Sequence, residues 1–180
     1  MKLKLDKSGW GQVLYATPVV LISTRSPAGV DNVSPYGMCM PISSNPPLFA
    51  VGVHPSRDTY QYIKEHQEFA INFLTPELKE ECLITAKGIP SEESEFDLAD
   101  LTRKEAEKIN VALVKESPVN FECKLHWIKK AGDHDIVVGE IVTTWIEEEY
   151  YDEDNTKMRT NFDNLYHINE RYFNRGYLIE

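Results

Sequence analysis

The sequence predicts a mainly β chain, folded as an antiparallel barrel with peripheral helices. Short β-branched or alternating runs recur between turn signals, helical patterns are few, and the strand spacing does not follow a regular βαβ series. At 180 residues, with no internal repeat and no linker, the chain reads as a single domain spanning 1–180. Folding a chain of this length buries roughly 70% of the surface that its unfolded form exposes, so packing alone can stabilise it.

The first strand is the continuously apolar run 18–24, which reads as buried on both faces. Ser26, Pro27, Ala28 and Gly29 supply a turn. The chain then returns through 30–35 as a hairpin that delivers Asn32 and Ser34 to its far end. Residues 36–42 are apolar and sulfur-rich, and Ser43-Ser44-Asn45-Pro46-Pro47 breaks them, because two successive prolines cannot donate to a sheet. Residues 48–53 resume as a strand. Its internal Gly52 marks a bulge, a packing accommodation, or the close approach of another backbone or a ligand.

A helix is predicted from about Arg57 to His66-Gln67, followed by a strand with Phe69, Ile71 and Phe73 on one face. Asn72 is an isolated amide on the other face and must find hydrogen-bond partners. Thr75-Pro76-Glu77 signals a second helix, with Leu78, Cys82 and Ala86 as its core positions and Leu83 beside them. Residues 89–101 read as a polar surface excursion, and Thr102-Arg103-Lys104-Glu105 fits a capping box for a turn of helix. Residues 119–127 alternate without a fault, which places Val119, Phe121, Cys123, Leu125 and Trp127 on the core. A turn at 130–133 returns the chain through another strand, with His134 at the mouth of a long hairpin spanning 119–146. Acidic residues 147–154 read as a solvated loop or charged edge, and the aromatic tail after Tyr166 as docked on the body or on a second subunit.

Composition excludes several functions. The formal charge is −10, with no block of Lys and Arg. Nucleic acid and anionic membrane surfaces are both disfavoured. Cys39, Cys82 and Cys123 are odd in number and far apart, so neither a disulfide framework nor a structural metal site is expected. The first residues lack the apolar core of a signal peptide and no run reaches membrane-spanning length, from which a cytoplasmic location is expected.

Residues 54–59 carry the most chemistry. A strand that runs into a helix N-terminus presents free N–H groups and the positive end of the helix dipole, and Ser56, Arg57 and Thr59 add two hydroxyls and a guanidinium. Ser56 is equally suited to capping the helix.

In order and spacing, four segments resemble the flavin reductase and flavoredoxin-like family of FMN-binding, Greek-key split β-barrels. They are 18–24 with Asn32-Val33-Ser34-Pro35; 43–48; Arg57-Asp58-Thr59 with 69–72; and 117–125 with Gly132-Asp133-His134 through Glu140. The resemblance implies a non-covalent FMN at the interface of a homodimer. It places Asn32, Val33, Ser34, Pro35 and Tyr36 beside the flavin ring, adds contacts from Ser43 and Ser44 and from Asn72, and assigns Ser56, Arg57 and Thr59 to the phosphate. It also implies a catalytic His134 near the flavin and a nicotinamide donor, NADH or NADPH. His134 taken alone also fits a turn histidine bonded to backbone. The activity implied is an NAD(P)H-dependent flavin or ferric reductase. The alternative is a flavoredoxin-like electron carrier reduced by a partner protein, which the acidic 147–154 run suits. The electron acceptor is not indicated.

Overall fold

The computed structural model describes residues 2–4, 6, 16–90, 92–152, 157–158, 163–168, 171–174 and 177–179. Its principal elements are β1 (Val20–Arg25), β2 (Asp31–Tyr36), β3 (Cys39–Ser44), β4 (Pro47–Val53), α1 (Asp58–His66), β5 (Glu68–Phe73), α2 (Lys79–Thr85), α3 (Glu95–Leu98), β6 (Val119–Ala131) and β7 (His134–Ile146). Among the described residues, seven strands form one antiparallel sheet in the order β2-β1-β5-β6-β7-β4-β3. Its two edge strands, β2 and β3, follow one another in the chain, joined only by Gly37 and Met38, so the sheet curls into a split barrel.

Alternation decides what fills the barrel. Val20 and Ile22 of β1, Phe49, Val51 and Val53 of β4, Phe69 and Ile71 of β5, Cys123 of β6 and Val137 of β7 form one buried cluster. Tyr60 and Ile63 of α1 pack into it from one end. The rings of Phe73 and Phe121 meet at 5.0 Å and 71°, the edge-to-face geometry that aromatic quadrupoles favour.

The opposite face of β1 and β2 carries a second cluster, in which Leu21 and Val33 meet Leu74, Cys82, Phe96 and Leu165. The predicted surface excursion is therefore only partly one. Phe96, Ala99 and Leu101 are buried, because the outer face of the sheet is apolar and needs a cover. The expected helical turn after Thr102 is instead a short strand, Arg103–Lys104, paired with Leu113–Val114. Arg103 bonds Asp31 and Asp97, and Lys104 lies over the Trp145 ring, contacts that outweigh a weak local capping signal. The second helix begins as a 3₁₀ turn, Pro76–Leu78, and Cys82 is buried as expected.

The long hairpin corrects one assignment. Val138 pairs with Trp127 while Gly139 pairs with Leu125, so His126 is an extra residue in β6. This bulge inverts the side-chain parity beyond it. Ile128 joins the barrel interior, and Trp127 packs outside with Leu48, Ala50 and Val138. The tail docks on the body through backbone bonds from Val19 N–H to Leu165 O (2.9 Å) and from Leu165 N–H to Leu74 O (2.8 Å). Thr17–Pro18 and the strands Leu165–Ile168, Arg171–Asn174 and Tyr177–Ile179 form a separate sheet. Glu153 and Asp154 of the acidic run and Asn169 of the tail lie outside the described residues. Among the described residues, no helix is long and apolar enough to cross a membrane and no group of three or more His, Cys, Asp or Glu is placed to hold a metal ion.

Candidate functional site

A cleft of about 490 Å³ opens where four parts of the chain end together. The β2 end contributes Ser34, Pro35 and Tyr36, and the β2–β3 link contributes Gly37 and Met38. The β4 end and the start of α1 contribute Gly52, His54, Ser56 and Arg57; the end of α2 contributes Thr85 and Ala86, and the mouth of the long hairpin contributes His134. In a chain of net charge −10, this lining holds one arginine, two histidines and no carboxylate.

Helix α1 starts at the cleft. Its N-cap is Arg57, in extended conformation, and no side chain caps the helix. The predicted cap, Ser56, is turned elsewhere: its hydroxyl lies 2.8 Å from His54 Nδ1, and its N–H donates to the same nitrogen at 3.2 Å. The single hydroxyl proton of Ser56 faces His54 and Tyr60 N–H already donates to Arg57 O at 3.0 Å, so the donors left for an anion are the Arg57 guanidinium and the N–H groups of Asp58 and Thr59. Arg57 forms no ion pair among the described residues.

Thr59, expected at the phosphate, is 2% exposed and its hydroxyl donates to Asn32 Oδ1 at 3.3 Å. Asn32, expected beside the ring, has its amide oxygen shared between Thr59 and Thr24 and its NH₂ bonded to Glu95 Oε2 at 2.8 Å. Val33 is fully buried in the outer cluster, and its N–H also faces Glu95. These three residues hold the cleft wall from behind. Asn72 is fully buried, donating to Leu21 O and Ser23 Oγ and accepting from Val114 N–H and the Asn120 amide. With both ends satisfied by protein groups, Asn72 is a structural amide and not a cofactor contact. Ser43 and Ser44 lie at the far end of the edge strand β3, outside the cleft. Ser34, Pro35, Tyr36, Ser56, Arg57 and His134 are brought together as expected.

Sequence reasoning included His54 in the chemical segment 54–59 without giving it a role, read Ala86 as a core position of the second helix, and did not single out Met38 or Thr85. The signal for His54 was its place directly before the helix start; Thr85 comes from a distant helix and carries no local signal, and Ala86, expected in the core from its spacing, is exposed at the cleft because the helix ends at Thr85. Gly52 combines two of its expected roles, since it lines the cleft and a Cβ there would meet Met38 Cβ at 3.0 Å. Burial pushes the Tyr36 phenol up, opposed by the Thr59 hydroxyl and the Arg57 charge. Burial also pushes the nearby Cys39 thiol up to about 12, so no thiolate stands beside the cleft.

Residues 12–176 match the model of the flavin reductase like domain. The chain belongs to the flavin reductase-like family. A protein of Methanothermobacter thermautotrophicus is 31% identical over 142 residues, 77% of this chain and 67% of that one. Component B of nitrilotriacetate monooxygenase from Bacillus cereus is 25% identical and superimposes with a TM-score of 0.86, covering 98% of this chain and 94% of the other. Flavoredoxin of Desulfovibrio vulgaris is 23% identical with a TM-score of 0.87, covering 100% and 96%. Membership in the flavin reductase-like family gives the chain a flavin-related redox role, and the cleft lies at the β2 and α1 ends that its sequence singled out.

Proposed function

We propose that this flavin reductase-like protein binds FMN in the cleft and catalyses flavin reduction by NADH or NADPH. The observation that carries the proposal is the uncapped start of α1 beside an Arg57 that has no ion pair among the described residues, set in a lining free of carboxylates within an acidic protein. That donor set fits the dianionic phosphate of FMN, which the helix N-terminus and the guanidinium would hold together. Ser34, Pro35 and Tyr36 would border the ring, while Gly37 and Gly52 keep the walls low. Bound FMN would supply hydride acceptance and onward electron transfer, and the chain's own residues would bind it, orient it and leave one face open. No acid–base pair or thiolate is needed. His134, whose Nδ1 lies 3.1 Å from Asp133 Oδ1, would meet the donor at the mouth of the cleft.

The reading is tested by anaerobic absorption spectra of the FMN-loaded protein before and after NADH or NADPH. Bleaching of the flavin bands is expected; bands that persist with both donors would overturn it. Persistent bands would turn attention to an electron carrier reduced by a partner protein. The exposed Glu147, Glu148 and Glu149 suit a basic partner, and reduction by such a partner would slow steeply with salt.

The proposal includes a homodimer. Met40 and Ile42 are 61% and 39% exposed on the edge strand β3, which offers a second copy an apolar border beside the cleft. Ser43 and Ser44 sit on this strand too, so their role belongs to the same proposal. Light scattering should give twice the chain mass for the native protein and a monomer for the pair Met40→Lys and Ile42→Glu.

A further inference from the structure

The segment that carries the anion donors is closed at both ends on one residue of the long hairpin, Asp135. At its start, Val53 pairs with Asp135 where β4 lies against β7. The chain then runs through 54–59, and at its end the Tyr60 hydroxyl donates to Asp135 Oδ2 at 2.7 Å, across 75 residues of sequence. Tyr60 and Asp135 are 8% and 9% exposed, so water competes little for this bond. The hydrogen bond to Asp135 pushes the Tyr60 phenol up, which keeps the proton on the tyrosine and makes it the donor.

Between these two ends the loop braces itself. Arg57 N–H donates to His54 O at 3.0 Å, and Gln61 Nε2 donates to Pro55 O at 2.9 Å. Thr59, directly before Tyr60, is tied to Asn32 at 3.3 Å on the other side of the helix start. None of these bonds uses the N–H of Asp58 or Thr59, and no side chain caps them. The internal bonds fix the shape of the loop, while the donors beside the cleft-lining Ser56 and Arg57 stay available to a ligand.

We infer that Tyr60 and Asp135 are positioning residues that hold the 54–59 loop closed and thereby set the preference of this protein for a flavin with a terminal phosphate over one without it. The inference rests on the FMN reading above. Neither residue is among those that line the cleft, so their effect on a ligand passes through the loop. A loop already closed binds an anion without first losing its own freedom. A small displacement of Arg57 and two N–H groups weakens every bond they make to the phosphate at once. The flavin ring, which Ser34, Pro35 and Tyr36 would border, does not depend on this closure.

The test is the affinity of the full-length protein for FMN and for riboflavin, read from quenching of flavin fluorescence, in the native chain, Tyr60→Phe, Asp135→Ala and the two changes combined. The native protein is expected to bind FMN more tightly than riboflavin. Each single change should weaken FMN about 3- to 10-fold, part of one hydrogen bond to a charged group, and leave riboflavin unchanged. The combined change should weaken FMN no further than either alone, because both remove the same bond. A strut with only a structural role would lower the affinity for both flavins together or for neither. Equal loss of both flavins, a native preference kept by Tyr60→Phe, or losses that multiply in the combined variant would each overturn the inference. Tyr60→Phe removes a single oxygen and decides the matter alone where Asp135→Ala does not fold. Riboflavin bound by the native protein as tightly as FMN sinks the phosphate reading of α1 and the inference with it, whereas a native preference that survives Tyr60→Phe sinks the inference alone. Flavin that binds with the expected preference but is not bleached by NADH or NADPH sinks only the reductase reading.

Discussion

The amide of Asn32 donates to the carboxylate of Glu95 at 2.8 Å across 63 residues of sequence, and this bond fastens the cover segment to the hairpin that forms the cleft wall. Glu95 is 5% exposed and also faces the N–H of Val33. Burial pushes its carboxyl up, against hydrogen bonds from its own backbone and that of Val33. A carboxyl raised in the folded state makes the fold less stable as pH climbs from the unfolded value through the folded one. Glu95→Gln keeps the acceptor and removes the buried charge, so its stability at neutral pH should lie within about 1 kcal/mol of the native protein or above it. Glu95→Ala strands two donors and should cost about 2–4 kcal/mol. Urea unfolding at neutral pH distinguishes the two variants.

Arg57→Ala should weaken FMN by about 1.5–3 kcal/mol, roughly 10- to 150-fold, because a charged hydrogen bond to phosphate is lost. Arg57 makes no ion pair among the described residues and its side chain is exposed, so folding should be little affected. Quenching of flavin fluorescence on titration gives the affinity. Unchanged affinity would place the phosphate away from α1.

Glu122 is fully buried, and its carboxylate accepts from the N–H groups of Glu107 (2.9 Å) and Lys108 (2.6 Å) and from the Trp145 indole (2.7 Å). Burial acts to raise its pKa, but these donors together with Ile109 N–H outweigh burial and hold the carboxyl below its ordinary value of 4.5. The contribution is complete above that value and is lost as pH falls through it towards the folded pKa. Glu122→Gln should cost about 1.5–3 kcal/mol at neutral pH and flatten the acid limb of the stability curve. Indole fluorescence during acid titration reports both effects.

Gly139 lies under the Phe69 ring, where an added Cβ would meet Phe69 Cζ and would stand 2.9 Å from Cys123 Cβ. Both neighbours are fully buried and cannot retreat. Gly139→Ala should therefore destabilise the barrel by about 1–3 kcal/mol, read from the shift of the thermal midpoint. Gly132→Ala meets no atom within 4 Å, but it forces a side chain onto φ +78°, so any loss there is a backbone effect confined to the hairpin turn.

The sequence by itself located most strands of the barrel sheet, the α1 boundary and the hairpin at 119–146, because alternation, β-branching and turn residues act within a few neighbours. It also picked out Ser34 to Tyr36, Ser56, Arg57 and His134, which share one cleft because their motifs lie at the ends of those strands. Tertiary structure decided the rest. Asn32, Thr59 and Asn72 are polar residues of the type that binds cofactors, but each is claimed by a partner 27 or more residues away: Asn32 by Thr59 and Glu95, and Asn72 by Asn120. A single extra residue at His126 moved Trp127 from the barrel interior to the outside, because sheet parity is a property of the pairing and not of one strand. The meeting of His54 with His134 was fixed in the same way, by the register of β4 against β7, which pairs Val53 with Asp135. Hydrogen-bond demand is local to a residue, but the group that satisfies it is chosen by the fold.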